Sequence, residues 1–140
     1  YFCSPFPISL LIFTLLPPSH LTFTRYEKFL RQHLDHPGPA GPPGGRYCST
    51  LLQRRRVNGP GRPCKPVNTF VHAPAAELLA LCAPRHGPAL RTTAAALDVT
   101  ACRVTGGSVY HPCAYRAARR HQRVEVACED GRPVHLSRTL

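Results

Sequence analysis

The seven cysteines include no Cys-x-x-Cys pair, no apolar run reaches the ~18 residues a membrane-spanning helix needs, and acidic side chains are scarce. The missing knuckle spacing argues against a zinc site, although eight histidines are present. Cys48, Cys64, Cys82, Cys102, Cys113 and Cys128 read instead as a disulfide framework made in an oxidising compartment, with Cys3 standing apart. Six cysteines allow 15 connectivities, and spacing alone selects none. No internal repeat occurs, and 140 residues suit one domain.

Seven Asp and Glu against eighteen Lys and Arg leave a net charge of +11. Lysine is nearly absent from that excess: Lys28 and Lys65 stand beside sixteen arginines. Arginine presents a planar fork of donors suited to phosphate, so a polyanionic partner is expected. Nucleic acid, sulfated glycan and an anionic membrane surface all meet that description.

Residues 1–24 carry no Lys, Arg, Asp or Glu. Their run Ile8–Leu16 resembles the apolar core of a secretory signal, but Pro5, Pro7, Pro17 and Pro18 and the missing basic leader leave a second reading open, that of translated upstream sequence. The expected division is therefore 1–24 as a signal-like or artefactual segment and 25–140 as the folded domain. Tyr26, Phe29, Leu30 and His33 share one face of a helix predicted over Arg25–Asp35, so His33 is turned towards the core. Taken alone, that places a buried structural histidine.

His36–Gly45 is a Pro/Gly loop, and Asn58–Pro63 is a second breaker after a helix predicted over Arg46 to about Arg55. A third helix is predicted over Ala75–Leu81. Strands are then predicted at Leu97–Thr105, Ala114–Ala118, Val124–Glu129 and Pro133–Leu136, with Gly106-Gly107 and Asp130-Gly131 as turns. Helices first and antiparallel strands after make the class α+β, with three helices packed on a twisted antiparallel sheet.

Four segments carry a resemblance. Cys64-Lys65-Pro66-Val67-Asn68-Thr69-Phe70-Val71-His72 resembles the signature of the pancreatic-type ribonuclease (ribonuclease A) superfamily. Phe29-Leu30-Arg31-Gln32-His33, Gly106-Gly107-Ser108 leading to Pro112–Ala117, and Val126–Leu136 are similar to its first-helix, central-hairpin and C-terminal segments, in the same order. The cysteines are nearest the three-disulfide angiogenin branch. The resemblance implies pairs Cys48–Cys102, Cys64–Cys113 and Cys82–Cys128, with no fourth bridge.

It also implies a metal-independent mechanism with no cofactor. RNA carries a 2′-hydroxyl beside each phosphate, and its attack on that phosphate needs a base and an acid, roles imidazoles fill near neutral pH. By the resemblance His33 is the base, His135 the acid and Lys65 the stabiliser of transition-state charge, while Gln32 binds the phosphate. Thr69 would read a pyrimidine, Asn68 would hold the lysine, and Leu136 would lie against the substrate. One departure stands out: Ser137 takes the place of the Asp that helps orient the acid histidine, which implies modest activity.

Arg54-Arg55-Arg56 resembles the arginine cluster that angiogenins use for nuclear entry and nucleic-acid contact. A solvated helix end explains it equally well, because cations are favoured at a helix C-terminus. Arg116, Arg119, Arg120 and Arg123 crowd one hairpin. The expected function is a secreted, monomeric endoribonuclease cutting RNA after pyrimidines. The alternative is a cationic host-defence or angiogenic factor with vestigial catalysis, binding membranes, glycosaminoglycans, a cell-surface receptor or a ribonuclease inhibitor.

Overall fold

The structure, a computed structural model, describes residues 24–83, 87–106 and 109–140. The apolar segment 1–23, residues 84–86 of the loop Ala83–Pro88 and the pair Gly107-Ser108 of the central hairpin lie outside the described residues.

Helix α1 runs Arg25–His33 and starts at Thr24, which the sequence reading assigned to the apolar segment. The Thr24 hydroxyl accepts from the Glu27 N–H at 3.1 Å and the Glu27 carboxylate accepts from the Thr24 N–H at 2.9 Å, a reciprocal cap worth about 1 kcal/mol. The helix stops two residues short of the predicted Asp35. Leu34 turns into extended backbone and bridges Val71, and the Asp35 N–H donates to the Val71 carbonyl at 3.0 Å.

Helices α2 (Gly45–Arg54) and α3 (Ala75–Leu81) lie within one residue of the predicted bounds. The strands are β1 (Val67–Val71), β2 (Ala89–Thr92), β3 (Leu97–Val104), β4 (Tyr115–Gln122), β5 (Val124–Glu129) and β6 (Arg132–Thr139). They form two three-stranded antiparallel sheets, ordered β1-β3-β4 and β2-β5-β6. The sequence pattern marked neither β1 nor β2, and the four residues of β2 show no alternation of burial. It also cut β4 and β6 short. β4 continues through Arg119–Gln122 because the backbone of β3 pairs with it, not because its side chains are apolar. Asp130 and Gly131 turn β5 into β6 with φ of 53° and 74°, the left-handed geometry an Asp-Gly hairpin turn requires.

Two clusters form the core. Phe29, Leu78, Val99, Val124 and Val126 pack between α1, α3 and the sheets, and Leu51, Leu52, Phe70 and Tyr115 pack around Cys48–Cys102. Cys64–Cys113 and Cys82–Cys128 complete the three bridges, so the pairing the resemblance implies is the one present. Each bridge closes a loop of about fifty residues and stabilises by roughly 2–4 kcal/mol.

Helix α2 meets β4 very closely at Gly45, where a Cβ would lie 1.9 Å from the Tyr115 carbonyl oxygen. Gly45→Ala therefore loses about 1–3 kcal/mol by forcing helix and strand apart, despite alanine's better helix propensity. Gly41→Ala, which meets open space, stays within about 0.5 kcal/mol in the same chemical denaturation experiment. Equal values would show that α2 has room to move.

Candidate active site

The site is built around strand β1. The side chain of Asn68 is buried, 2 % exposed, and it works in two directions. Its Oδ1 accepts from Lys65 Nζ at 2.8 Å, and its Nδ2 donates to the Gln32 carbonyl at 2.9 Å. One residue on, the Thr69 carbonyl oxygen lies 2.9 Å from His33 Nδ1. A carbonyl only accepts, so Nδ1 carries the hydrogen and Nε2 of the neutral ring keeps its lone pair. Gln32, His33, Lys65, Asn68 and Thr69 thus converge through three hydrogen bonds between α1 and the start of β1.

His33 is buried at 9 % exposure. That burial pushes its pKa down to about 4; the hydrogen bond to Thr69 opposes the shift, and the charges of Lys65 and His135 add to it. His135 therefore lies within electrostatic reach of His33. It is exposed on β6, opposite Ala127 of β5. The Lys65 ammonium is half-buried, which lowers its pKa, and Lys28 adds to that effect. Both lysines of the chain are thus near one spot. Leu136 is half-buried and packs against the main core cluster.

Several supporting residues carried no signal in the sequence. Asn58 Oδ1 accepts from the Lys65 backbone N–H at 3.0 Å, its Nδ2 donates to Tyr115 Oη at 2.7 Å, and that hydroxyl donates to the Lys65 carbonyl at 2.7 Å. The backbone of Lys65 is held on both sides. His72, to which no role was given, hydrogen-bonds the Asp35 carbonyl through Nδ1 and the Thr100 hydroxyl through Nε2, each at 2.7 Å. Ser137 donates to Glu125 Oε1 at 2.9 Å, so a carboxylate from the neighbouring strand sits beside the position where the family carries its Asp. Hydrogen bonds from Ser137 and Arg138 keep Glu125 below the usual carboxylate range.

Arg54, Arg55 and Arg56 do not form one surface. Arg55 turns inward and donates to the carbonyls of Leu30, Arg31 and Leu34 at 3.3, 3.0 and 2.7 Å, with Asp35 at 3.5 Å as counter-ion. It closes the C-terminal end of α1, where a cation is favoured by the helix dipole, and so braces the turn that carries Gln32 and His33. Arg54 and Arg56 are exposed. On β4, Arg116, Arg119 and Arg120 are exposed, as is Arg123 just after it, and Arg119 pairs with Asp98 at 3.6 Å.

Two measurements check this geometry. The unfolded imidazole titrates near 6.5 and the native one near 4, so between those values only the unfolded chain takes up the proton. His33 therefore contributes stability above pH 6.5 that is lost as pH falls towards 4, about 3 kcal/mol over the full window. An NMR titration of the His33 ring should show a midpoint near 4; a midpoint near 6.5 would refute the buried placement. Arg55→Ala should cost about 2 kcal/mol in unfolding free energy, because the helix-end carbonyls lose a charged donor.

The model of the family described as pancreatic ribonuclease matches residues 24–137. Ribonuclease CL2 of Gallus gallus is 56 % identical over 117 residues, spanning 83 % of this chain and 97 % of its own. Angiogenin-4 of Mus musculus is 38 % identical, spanning 98 % and 96 %. The crystal structure of green turtle egg white ribonuclease superposes with a TM-score of 0.74 at 45 % identity, covering 84 % of this chain and all of that one. With this fold, these three bridges and relatives that align over nearly their whole length, the chain belongs to the pancreatic ribonuclease family of endoribonucleases.

Proposed function

We propose that this protein cleaves single-stranded RNA on the 3′ side of pyrimidines by transphosphorylation, with His33 as base, His135 as acid and Lys65 as electrostatic stabiliser. The observation that carries the reading is the tautomer of His33, which is buried and neutral with Nε2 free to accept a proton. Nε2 takes the proton of the 2′-hydroxyl as that oxygen attacks the adjacent phosphorus. The bond to the 5′-oxygen breaks, and a protonated His135 supplies the proton that makes it a hydroxyl. The products are a 2′,3′-cyclic phosphate and a 5′-hydroxyl end.

Lys65 and Gln32 face the extra negative charge on the non-bridging oxygens, and Asn68 fixes the ammonium before substrate arrives, so little reorganisation is needed. Thr69, half-buried on β1 next to His33, reads the base edge through its hydroxyl and backbone amide. The three disulfides support secretion to an oxidising, extracellular compartment. The Ser137–Glu125 pair supports retained, if modest, turnover.

His33→Ala and His135→Ala should each lower kcat/KM on a pyrimidine-containing RNA by about 10²–10⁴-fold, with the cyclic phosphate lost from the products. The acid limb of the parent's pH profile should fall near pH 4, the value burial imposes on His33. A parent no faster than its variants would overturn the reading. A second reading, binding of anionic membranes or glycosaminoglycan, is favoured by the exposed Arg116 opposite the exposed Arg103, two like charges paired across β3 and β4. It predicts salt-sensitive heparin retention that survives His33→Ala.

A further inference from the structure

The sequence has two asparagines, and both of them hold Lys65. Asn68 takes the ammonium; Asn58 takes the backbone N–H and donates to the Tyr115 hydroxyl that in turn donates to the Lys65 carbonyl. They differ in the residue that follows. Asn68 precedes Thr69 inside β1, and the branched Thr69 side chain shields its own peptide nitrogen. Asn58 precedes Gly59, which has no Cβ to shield anything. A Cβ built on Gly59 meets nothing within 4 Å, and Pro60 beyond it is exposed, so the peptide after Asn58 is open to water. The Asn58 side chain is nevertheless turned inward and only 3 % exposed. Its segment is anchored by backbone: the Val57 and Asn58 N–H groups donate to the Leu52 carbonyl at 2.9 and 3.1 Å, and the Arg62 N–H donates to the Gly59 carbonyl at 3.0 Å. Arg56 sits at a φ of 60°, a costly conformation for a residue with a Cβ. A surface loop that starts from such a residue opens locally more readily than the strands beside it.

We infer that Asn58-Gly59 is a self-modification site, whose conversion from amide to acid releases Lys65 and lowers turnover; the effect on turnover rests on the ribonuclease reading above. When the loop opens, the Asn58 side chain leaves its two partners and its Cγ swings to the Gly59 nitrogen. That nitrogen gives its proton to solvent and attacks Cγ, the bond from Cγ to the side-chain nitrogen breaks, and ammonia departs. The cyclic imide left behind takes up one water, which reopens it at either carbonyl to give aspartate or isoaspartate. Water is the sole co-reactant. Neither product rebuilds the clamp. A carboxylate has no hydrogen to donate, so the single hydrogen of the Tyr115 hydroxyl is claimed by two acceptors, the new carboxylate and the Lys65 carbonyl. One of them goes unsatisfied, and a negative charge is added where the amide was buried. Isoaspartate also lengthens the main chain between α2 and Lys65 by one methylene. Each opening that reacts is therefore kept, and the site works as a clock that counts excursions of this loop. An anion bound by the Lys65 ammonium favours the closed clamp by mass action and slows the clock.

The test ages the full chain, bridges intact, at mildly alkaline pH and maps its peptides by mass spectrometry for aspartate and isoaspartate at position 58. The parent should accumulate both, more slowly than the same chain denatured, and more slowly again with inorganic phosphate present. Gly59→Ala should age far less; its methyl meets open space at a φ outside the left-handed region, so it should fold and cut RNA as fast as the parent. The aged fraction, separated by cation exchange through its lower net charge, should show kcat about tenfold lower with KM within about twofold. Its Lys65 amide NMR signal should shift while those of β5 and β6 stay in place, as a local release requires. Asn58→Asp should reproduce these changes; if it fails to refold, the aged fraction, which was folded before it reacted, carries the comparison. A native chain that forms neither product at position 58 while the denatured chain does would overturn the inference, and so would an aged fraction with the kcat of the parent. A parent that cuts nothing would sink the ribonuclease reading alone, because the peptide map and the Lys65 signal are read without substrate.

Discussion

Asn68 is the residue on which the site depends. Its amide carries a donor and an acceptor, and strand β1 delivers both to partners on either side: the ammonium of Lys65 and the backbone of α1 at Gln32. A buried amide left half-satisfied costs about 1–3 kcal/mol, so the core enforces this pairing and the site inherits its geometry. The neighbouring Thr69 carbonyl does the same for the His33 ring. Strand β1 is held in turn by the Phe70 and Val71 side chains, buried in the two different core clusters. Packing and chemistry are thus joined through four consecutive residues, Asn68 to Val71.

A chain so rich in arginine has to prevent its cations from repelling one another at the centre. Part of the solution is to use backbone carbonyls where carboxylates are scarce. Arg55 closes the end of α1 on three carbonyls, Arg31 donates to the Arg55 carbonyl, and Arg119 donates to the carbonyl of Pro39. The few carboxylates are placed where they do most: Asp35 beside Arg55 and Tyr47, Asp98 beside Arg119 and His121, and Glu125 beside Ser137 and Arg138. Burial against Asp35 raises the Tyr47 pKa and keeps that phenol a hydrogen-bond donor.

Much of the fold was legible because its signals are local. The 3.6 period put Phe29, Leu30 and His33 on one face, and Asp130-Gly131 marked a turn whose left-handed backbone few other pairs accept. The helix Ala75–Leu81 ends where it was read. Strand limits were less legible. The arginine-rich half of β4 has no apolar alternation, and only the register with β3, from Leu97↔Gln122 to Val104↔Tyr115, makes it a strand. For the site, the residue types His33, Lys65 and His135 were visible through the resemblance. The clamp of Asn58 and Tyr115 on Lys65 was not, because fifty-seven positions separate the two.

By itself the sequence determined the class, the helical faces and the identities of the titratable groups, because each is a property of composition or of neighbours within a few positions. Only the tertiary structure decided which cysteines meet, which nitrogen of His33 is free, and that Arg55 faces inward between two exposed arginines. Those outcomes depend on disulfide and hydrogen-bond partners twenty to sixty residues away and on water being excluded from His33. Burial and long-range pairing are made by the folded chain as a whole, and no local pattern encodes them.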